Sequence, residues 1–292
     1  MSGLVIISAP ALLLVLALIA VWYVVSAALY KRTDYYKTTH KSWLRVRFDT
    51  GYYGEYLTYL ALSRYEKDGA KFLYNCYLPK DNGETTEIDV MMIHSSGVYV
   101  FESKNYSGWI FGNEHQKTWT QTLPSGRKSH KEHFLNPIMQ NNLHIKWLKN
   151  QIGYSVPVHS VIVFSERCTL KKVDITSSDI YVIRRPEVAK IVYKIDAKEE
   201  HDLSEDDIDA LYKKLYDFTQ VSDEVKKKHV NDIKKHTEEV VVEETWEVSA
   251  EDVCPRCGGK LVLRTTQKGP NAGNQFYGCS NYPRCRYMKN SR

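Results

Sequence analysis

The fold of the central region is decided by residues 86–104, which read TEIDVMMIHSSGVYVFESK. Two runs rich in β-branched and aromatic residues flank a Ser-Ser-Gly segment, and this pattern predicts a β-hairpin. A two-residue loop at 95–96 places Asp89 opposite Glu102, whereas a loop at 96–97 places Asp89 opposite Lys104. Either loop leaves the three side chains on one face, because side chains alternate along a strand, but a three-residue loop would break this parity.

Two carboxylates and a lysine on one face of a hairpin are unfavourable unless a cation separates the like charges. Such a group suits metal-dependent phosphodiester hydrolysis. Carboxylate oxygens hold Mg²⁺, the ion lowers the pKa of an attacking water, and a lysine offsets charge that builds on the phosphate. A solvent-facing Glu-x-Lys on an ordinary strand is the other interpretation of the same residues.

The hairpin lies in a region with a mixed α/β pattern. Strands are predicted at residues 72–78, 86–94, 98–104, 109–112, 117–122 and 158–164. A first helix is predicted from residue 50 to about residue 67, and a second over 137–149 with Asn136 as its N-cap and Pro137 at its first position. The apolar stripe predicted for the first helix consists of Tyr53, Leu57, Leu60 and Ala61.

Residues 4–29 contain no charged side chain. As a helix they would span about 39 Å, and about 20 apolar residues suffice to cross a bilayer. Six Lys or Arg residues follow before residue 48, and none precedes the segment. The positive-inside rule then predicts a single-pass protein with its N-terminus outside and its bulk in the cytoplasm. A cleaved signal peptide is the alternative, for which Ser26-Ala27-Ala28 offers small residues.

The average composition conceals segments of opposite charge. The chain of 292 residues is 43% hydrophobic and 26% charged, which excludes a wholly disordered, collagen-like or multi-span membrane protein. The net charge is only +5. Residues 198–251, however, carry a net charge of −9, and residues 253–292 carry +8 without an acidic residue. The acidic segment predicts an amphipathic helix near 204–220 and then a solvated linker over 237–251. The basic tail is typical of a polyanion binder.

The cysteines also divide into two groups. Cys76 and Cys168 are isolated and are expected to be buried apolar residues. Four more lie in the basic tail, two of them two residues apart in a Cys-Pro-Arg-Cys knuckle. Four thiolates match the closed tetrahedral site of structural zinc, whereas a secreted protein could form two disulfides from them. The predicted zinc ligands are Cys254, Cys257, Cys279 and Cys285.

The tail resembles the four-cysteine zinc finger at the C-termini of bacterial type I topoisomerases, through Cys254-Pro-Arg-Cys257-Gly and Gln275-Phe-Tyr-Gly-Cys279-Ser-Asn-Tyr-Pro-Arg-Cys285. The resemblance implies binding of single-stranded DNA, but topoisomerase activity is not expected because no topoisomerase body precedes the tail. Independently, aromatic rings that stack on bases alternate with arginines that neutralise phosphates. The DNA-binding candidates are Arg264, Phe276, Tyr277, Tyr282, Arg284, Arg286 and Tyr287. One or two of the rings are expected to pack the zinc core instead, and a protein-binding module is the alternative.

The central region is similar to the nuclease-related domain (NERD) family. The matching stretches are Gly51-Tyr-Tyr-Gly-Glu55, Glu87-Ile-Asp-Val90, Gly97-Val-Tyr-Val-Phe-Glu-Ser-Lys-Asn105, Gly108, Trp119 and Asn136-Pro-Ile-Met-Gln140. The resemblance implies an α/β core of the restriction-endonuclease-like, PD-(D/E)xK type. By position, Glu55, Asp89 and Glu102 would be metal-site carboxylates and Lys104 the water-orienting base. Gln140 would contact the site or the backbone. A solvent-exposed Glu55 and a Gln140 that only packs its helix are the alternatives.

Together these patterns predict a membrane-anchored nuclease that uses Mg²⁺ or Mn²⁺, with a structural zinc ion and single-stranded DNA as its partner. No small-molecule substrate is expected. The predicted segments are an anchor at 1–30, a juxtamembrane linker at 31–42, the nuclease-like domain at 43–197, the acidic helix and linker at 198–252 and the zinc finger at 253–292. A non-catalytic, membrane-tethered DNA-binding protein is the alternative. His94, His115, His130 and His133 are predicted to be surface residues.

Overall fold

The computed structural model describes residues 9–125, 128–247, 254, 256–257, 261–266 and 275–290. The chain divides into two compact units, Met1–Asp232 and Ile233–Arg292. The described residues form a mixed α/β structure, as the sequence predicts. Eight helices are described: α1 (Ala9–Tyr30), α2 (Asp34–Thr39), α3 (Trp43–Phe48), α4 (Thr50–Leu62), α5 (Pro137–Ile152), α6 (Val188–Asp196), α7 (Glu205–Tyr216) and α8 (Asp223–Glu247).

The first helix is the most apolar element that the structure describes. Its Pro10–Tyr30 stretch contains a window with a mean hydropathy of 2.7 of which no residue is buried, whereas Tyr30 at its end is packed in the core. By length and composition this one helix is able to cross a membrane.

Two β-sheets form the body of the first unit. Its strands are β1 (Lys71–Pro79), β2 (Thr85–His94), β3 (Gly97–Lys104), β4 (Gly108–Asn113), β5 (Thr118–Ser125), β6 (Lys128–Leu135), β7 (Val158–Phe164), β8 (Cys168–Asp174) and β9 (Ile180–Arg184). The first sheet has the order β1-β2-β3-β7-β9, in which β1 to β3 are antiparallel and β3, β7 and β9 are parallel. The second has the order β6-β5-β4-β8. The sequence predicted the strands from β1 to β5 and β7, but it missed β6, β8 and β9.

Helices cover both faces of the first sheet. On one face α4 and α6 pack against β2 and β3 through side chains such as Tyr59, Val192 and Phe101. On the other face α5 and α7 pack through Leu148 and Leu215. The result is a three-layer arrangement, in which the strands β1, β2, β3 and β7 carry most of the core residues. The N-cap prediction for α5 is confirmed, because Oδ1 of Asn136 accepts the backbone N–H of Ile138 at 2.9 Å.

The second sheet packs against β7 through an apolar cluster centred on Trp119 and Phe164. The indole of Trp119 is fully buried and stacks on Phe164, with ring centroids 6.0 Å apart and nearly parallel planes. Gly112 on β4 faces this ring so closely that a Cβ atom there would lie 2.3 Å from it. Glycine is therefore required at position 112, and the two sheets form one packed body.

In the first sheet, the alternation of side chains between the two faces is interrupted at Asn75 on β1 and at Asp89 on β2. Tyr74 pairs with Val90 and Cys76 with Ile88, but between them Asn75 takes a left-handed backbone with φ of 50°. Side chains two positions apart on a strand normally lie on the same face. Here Tyr74 lies on the α4 side of the sheet, whereas Cys76 lies on the α5 side. This kink brings side chains from both faces of the sheet to one place, where Asp89 lies.

Two sequence predictions about helices are wrong. In α4 the buried face holds Gly54, Glu55, Tyr56, Thr58, Tyr59 and Leu62, whereas Leu60 of the predicted stripe is exposed. Tyrosine rings, rather than the aliphatic residues, fill the core there, and several meet edge to face. The predicted linker at 237–251 is helical as far as Glu247, as the end of α8, and residues 248–251 lie outside the described residues.

Candidate functional site

The β2–β3 hairpin brings together the predicted catalytic side chains. Its ladder runs from Val90–Phe101 to His94–Gly97, which confirms the loop at 95–96 and excludes the alternative at 96–97. The same register, continued by one pair, sets Asp89 opposite Glu102. The ladder stops before that pair, and the carboxylate of Asp89 instead accepts the backbone N–H of Ser103 at 2.8 Å.

Glu102 is a buried carboxylate held between two nitrogen donors. Its side chain is only 4% exposed. Oε1 lies 2.7 Å from Nζ of Lys104, and Oε2 lies 3.1 Å from Nε2 of His144. Burial alone would raise the pKa of Glu102, but Lys104 and His144 hold it at about 2. Burial likewise would lower the pKa of Lys104, and the charge of Glu102 raises it instead. Both groups are therefore ionised at neutral pH.

Asp89 has the opposite electrostatic environment. Burial raises the pKa of Asp89 well above its usual range, and the charges of Glu102 and Glu55 raise it further, against a smaller lowering by Lys104. The carboxyl is thus in a place where its negative charge is poorly compensated by the protein. A bound cation would supply the missing compensation.

Glu55 belongs to the same group although it comes from α4. It is 6% exposed, which excludes the solvent-exposed alternative. Its Oε2 accepts Nδ2–H of Asn75 at 2.8 Å and the hydroxyl of Tyr35 at 3.0 Å, and Lys41 donates to Oδ1 of Asn75. Burial raises the pKa of Glu55 to about 7; Lys41 lowers it and nearby Glu87 raises it.

Gly54 allows α4 to approach the end of β3. A Cβ atom at this position would lie 2.7 Å from Cβ of Asn105, the residue after Lys104. The next turn of the helix adds a contact of 3.3 Å between the hydroxyls of Thr58 and Ser103. The Gly-Glu pair in the sequence motif therefore has a physical reason, because the glycine makes room for the contact that delivers Glu55 to the sheet.

Helix α5 contributes Gln140 and His144, which are four residues apart and so lie on one face. Oε1 of Gln140 is buried and has no hydrogen-bond partner among the residues that the structure describes. The Thr86 hydroxyl lies 2.5 Å from Nδ1 of His144, which leaves Nε2–H to donate to Glu102. Sequence reasoning missed His144, although its spacing from Gln140 could have revealed it.

A fourth carboxylate, Glu87, was also missed. It lies two residues before Asp89 on β2, and burial raises its pKa, against a lowering by the hydrogen bond from Tyr77. Nε2 of His229 on α8 lies 3.6 Å from Oε2 of Glu87. Its position two residues from Asp89 on the same strand is the sequence signal that could have identified it.

These side chains carry oxygen donors of the type that Mg²⁺ and Mn²⁺ prefer, namely the carboxylates of Asp89, Glu102 and Glu55 and the amide oxygen of Gln140. Oε1 of Gln140 is buried without a partner among the described residues, and the charge of Asp89 is poorly compensated.

A cleft with side chains of both charges lies beside the end of β3. The cleft has a volume of about 310 Å³, and its charged lining consists of Arg47, Arg167, Asp49 and Glu166. Arg167 donates to the backbone oxygen of Asn105 at 2.8 Å, which fixes the guanidinium next to the strand that carries Lys104. The arrangement places an arginine beside the residue that follows Lys104, within a cleft whose basic and acidic side chains balance.

The second unit contains the four-cysteine site. The Sγ atoms of the four predicted ligands all lie within 4.8 Å of one another. The described part of this unit also forms a three-stranded sheet of β10 (Leu261–Thr265), β11 (Gln275–Cys279) and β12 (Met288–Asn290). This geometry supports a structural zinc ion. Cys76 and Cys168 are buried within the first unit, as predicted.

The two faces of this small sheet carry different side chains. Arg264 pairs with Phe276, so both face the same side, whereas Leu261 pairs with Cys279 on the side of the cysteines. Tyr277 and Tyr287 pack against the cysteine core, as expected for one or two of the rings. A cleft of about 340 Å³ is lined by predicted DNA-binding residues, namely Arg264, Phe276, Tyr282, Arg286 and Tyr287. Arg284 is exposed outside that lining.

Comparison with known proteins agrees with both regions. A model of the nuclease-related domain matches residues 50–165, and a model of the topoisomerase DNA binding C4 zinc finger matches residues 251–292. An uncharacterized protein of Bacillus anthracis is 32% identical over 177 residues, which are 61% of this chain and 80% of that protein. No solved structure matches the chain.

Topoisomerases match only a small part of the chain. DNA topoisomerase 1 of Methanocaldococcus jannaschii is 50% identical over 44 residues, which are 15% of this chain and 5% of that enzyme. DNA topoisomerase 1 of Helicobacter pylori is 27% identical over 85 residues, which are 29% of this chain and 11% of that enzyme. The chain therefore belongs to the nuclease-related domain family and carries a topoisomerase-type C4 zinc finger.

Proposed function

We propose that the first unit is a metal-dependent phosphodiesterase that cleaves nucleic acid. The observation that carries this proposal is the placement of Asp89, Glu102 and Lys104 at one point of the sheet, where the protein compensates the charge of Asp89 only in part. An ordinary structural ion pair between Glu102 and Lys104 would not need a third buried charge beside it, because each buried charge costs free energy.

The protein's own groups divide the work in this proposal. Asp89, Glu102, Glu55 and Gln140 would hold Mg²⁺ or Mn²⁺, which supplies electrostatic stabilisation of the phosphate and a more acidic water. Lys104, whose ammonium lies 2.7 Å from Glu102, would orient the attacking water and offset phosphate charge. His144 positions Glu102 through Nε2 and is itself oriented by Thr86.

The core is proposed to be of the restriction-endonuclease-like, PD-(D/E)xK type. Support comes from the mixed sheet of three antiparallel and two parallel strands, with the Asp and the Glu-x-Lys on its adjacent strands β2 and β3. Within the α/β class, the kink at Asn75 in the strand next to β2 further supports this proposal, since it lies beside the acidic side chains.

The zinc finger is proposed to bind single-stranded DNA. Support comes from the cleft that combines Phe276 and Tyr282 with Arg264, whose guanidinium lies 5.8 Å from the Tyr282 ring centroid. Stacking of a base on an aromatic side chain contributes about 1–3 kcal/mol. We expect Phe276→Ala to weaken binding of a short oligonucleotide about 5- to 150-fold, whereas Thr265→Ala on the other side of the sheet leaves binding unchanged. Equal affinities for the two variants would contradict this assignment.

The apolar helix α1 is proposed to anchor the chain in a membrane, with the remainder in the cytoplasm. Support comes from its exposed apolar side chains and from the six Lys and Arg residues that follow it before residue 48. Fractionation of cells that express the full chain, with protease treatment from either side, tests both anchoring and orientation. Release as a soluble, shortened protein would support the signal-peptide alternative.

Cleavage of labelled DNA tests the catalytic proposal. Full-length wild type, Lys104→Ala and the control Lys172→Ala, at an exposed position on β8, are incubated with single- and double-stranded DNA with and without Mg²⁺. We expect Mg²⁺-dependent cleavage by the wild type and the control but not by Lys104→Ala. If folded wild type does not cleave, or Lys104→Ala cleaves equally well, the non-catalytic DNA-binding alternative is favoured.

A further inference from the structure

A second cluster of metal-binding side chains lies at the turn between β2 and β3. It combines His94 at the end of β2, Asp196 at the end of α6 and His201 in the segment before α7. One ligand atom from each lies within 4.8 Å of the others. The prediction that His94 is a surface residue is wrong, since it is 5% exposed.

The distances suit a small tetrahedral ion. Nδ1 of His94 lies 3.1 Å from Oδ1 of Asp196, and Nε2 of His201 lies 3.9 Å from the same oxygen. An ion with bonds of about 2.0–2.1 Å to nitrogen and oxygen sets neighbouring tetrahedral ligand atoms roughly 3.3 Å apart. Two His nitrogens and one carboxylate oxygen are a ligand set that binds Zn²⁺, with a fourth position open to water.

A neighbouring hydroxyl orients the ring of His201. Oγ of Ser95 lies 2.8 Å from Nδ1 of His201, which leaves Nε2 of that ring to face Asp196. A contact of this kind at the other ring nitrogen is what fixes the orientation of a metal-bound imidazole. At His94, Oγ of Ser96 lies 3.0 Å from Nδ1, the nitrogen that also faces Asp196, so a bound ion would replace this hydrogen bond.

Asp196 is incompletely satisfied without an ion. Its Oδ1 is buried, yet it accepts no well-aligned hydrogen bond from the residues that the structure describes. A buried carboxylate oxygen in this condition is costly, and the two imidazoles beside it are neutral in the form that binds metals. The cluster therefore has both the ligand atoms of a cation site and a buried carboxylate oxygen that a cation would satisfy.

We propose that His94, Asp196 and His201 bind one divalent transition-metal ion of the zinc class. The ion joins the β2–β3 turn to the end of α6 and to the segment that leads into α7, where Leu203 N already donates to Ser95 O at 3.1 Å. Five residues along β2 separate His94 from Asp89, a distance of about 17 Å. The site is thus distinct from the carboxylate cluster and from the four cysteines.

Metal counting on the full chain tests this site. Wild type, His201→Asn and the control His115→Asn, an exposed histidine elsewhere, are stripped with chelator, reloaded with a small excess of Zn²⁺, dialysed and analysed for zinc per chain. His201 is 49% exposed, so its replacement should leave the fold intact, which circular dichroism checks. We expect wild type and His115→Asn to retain one zinc ion more than His201→Asn.

Two further arms separate this site from the other metal-binding groups. Glu102→Ala should retain the additional ion if it belongs to the histidine cluster. Co²⁺ loaded in place of zinc should show, in the difference between wild type and His201→Asn, visible bands of a nitrogen- and oxygen-ligated ion without thiolate charge transfer. Equal zinc content in wild type and His201→Asn, or loss of the additional ion in Glu102→Ala alone, would overturn the proposal.

Discussion

The carboxylate cluster and the four-cysteine site are both assembled from ionisable side chains, but they differ in how far apart these residues are along the sequence. The cysteines come from two short segments of one tail, and their spacing already specifies the chemistry. The carboxylate cluster combines α4, β2, β3 and α5 with Lys41, so its ligands meet only after the sheet and helices have packed. We therefore expect zinc to be required for the four-cysteine site to fold, whereas a divalent cation would only occupy the carboxylate cluster after the first unit has folded.

Removal of zinc should give the largest effect, which is the loss of tail folding and of DNA binding. A folded tail without zinc would contradict the comparison of the two sites. We expect chelation, or Cys279→Ser, to abolish the folded tail and reduce binding of single-stranded oligonucleotide to background, because zinc contributes about 10–16 kcal/mol to such small folds. Calorimetry of the same sample should show the main unfolding transition of the first unit unchanged. Retention of full DNA affinity after verified zinc loss would contradict the account.

Replacement of Glu102 should have the next largest effect, on activity rather than on folding of the tail. Glu102→Gln removes a cation ligand and leaves Lys104 without its partner at 2.7 Å. We expect Mg²⁺-dependent cleavage to fall about 10²- to 10³-fold, a range typical for loss of one charge-stabilising group. Glu132→Gln, at an exposed position on β6, is the matched control, and similar losses in both variants would indicate that the site has been misassigned.

Loss of His144 should have a smaller effect, because this residue acts through Glu102. We expect His144→Ala to raise the Mg²⁺ concentration needed for half-maximal cleavage about 10- to 100-fold, as for other groups that orient metal ligands. A His144→Gln variant, whose amide can still donate to Glu102, should recover part of the loss. An unchanged Mg²⁺ dependence in His144→Ala would mean that the contact of 3.1 Å does not position Glu102.

The smallest effect concerns stability and pH at His229. Burial lowers the pKa of His229 to about 4; Thr85 and Asp232 raise it, while Lys80 and His144 lower it. Because the folded pKa lies below the unfolded value of about 6.5, the contribution is complete above pH 6.5 and is lost as the pH falls toward 4. We expect at most about 2 kcal/mol of lost unfolding free energy between pH 7 and pH 5 from this group.

Urea unfolding of wild type and His229→Gln at the two pH values measures this contribution, since changes common to both proteins cancel. The difference between them should shrink as the pH is lowered. Parallel pH profiles would show that His229 does not titrate with the fold, and that its contact with Glu87 contributes little.

The parts of the site that the sequence predicted are those that depend on local spacing. Alternation along β2 and β3 gave the register that places Asp89 and Glu102, and the capping pattern placed Asn136 at the start of α5. The cysteine spacing identified the zinc ligands in the same way. In each case the partners are joined by one turn or one short strand, so few packing choices intervene.

The parts that the sequence missed depend on packing between distant segments. The burial of Glu55 follows from tyrosines that fill the core beneath α4, which a rule based on aliphatic stripes does not foresee. The kink at Asn75 and the contact of His144 with Glu102 likewise arise when strands and helices from separate stretches meet. The histidine cluster at the β2–β3 turn was missed for the same reason, because His94 lies about 100 residues before Asp196 and His201 along the chain.

The most direct test of the central claim is a Mn²⁺ titration of the full chain, followed by the loss of the free-ion electron paramagnetic resonance signal. Zinc is present throughout to saturate the cysteines and the histidine cluster. The account predicts a saturable Mn²⁺ site in wild type and in Glu132→Gln that is lost in Asp89→Asn and Glu102→Gln. Identical Mn²⁺ binding by all four proteins, or no saturable binding by wild type, would contradict the claim that the buried carboxylates form a divalent-cation site.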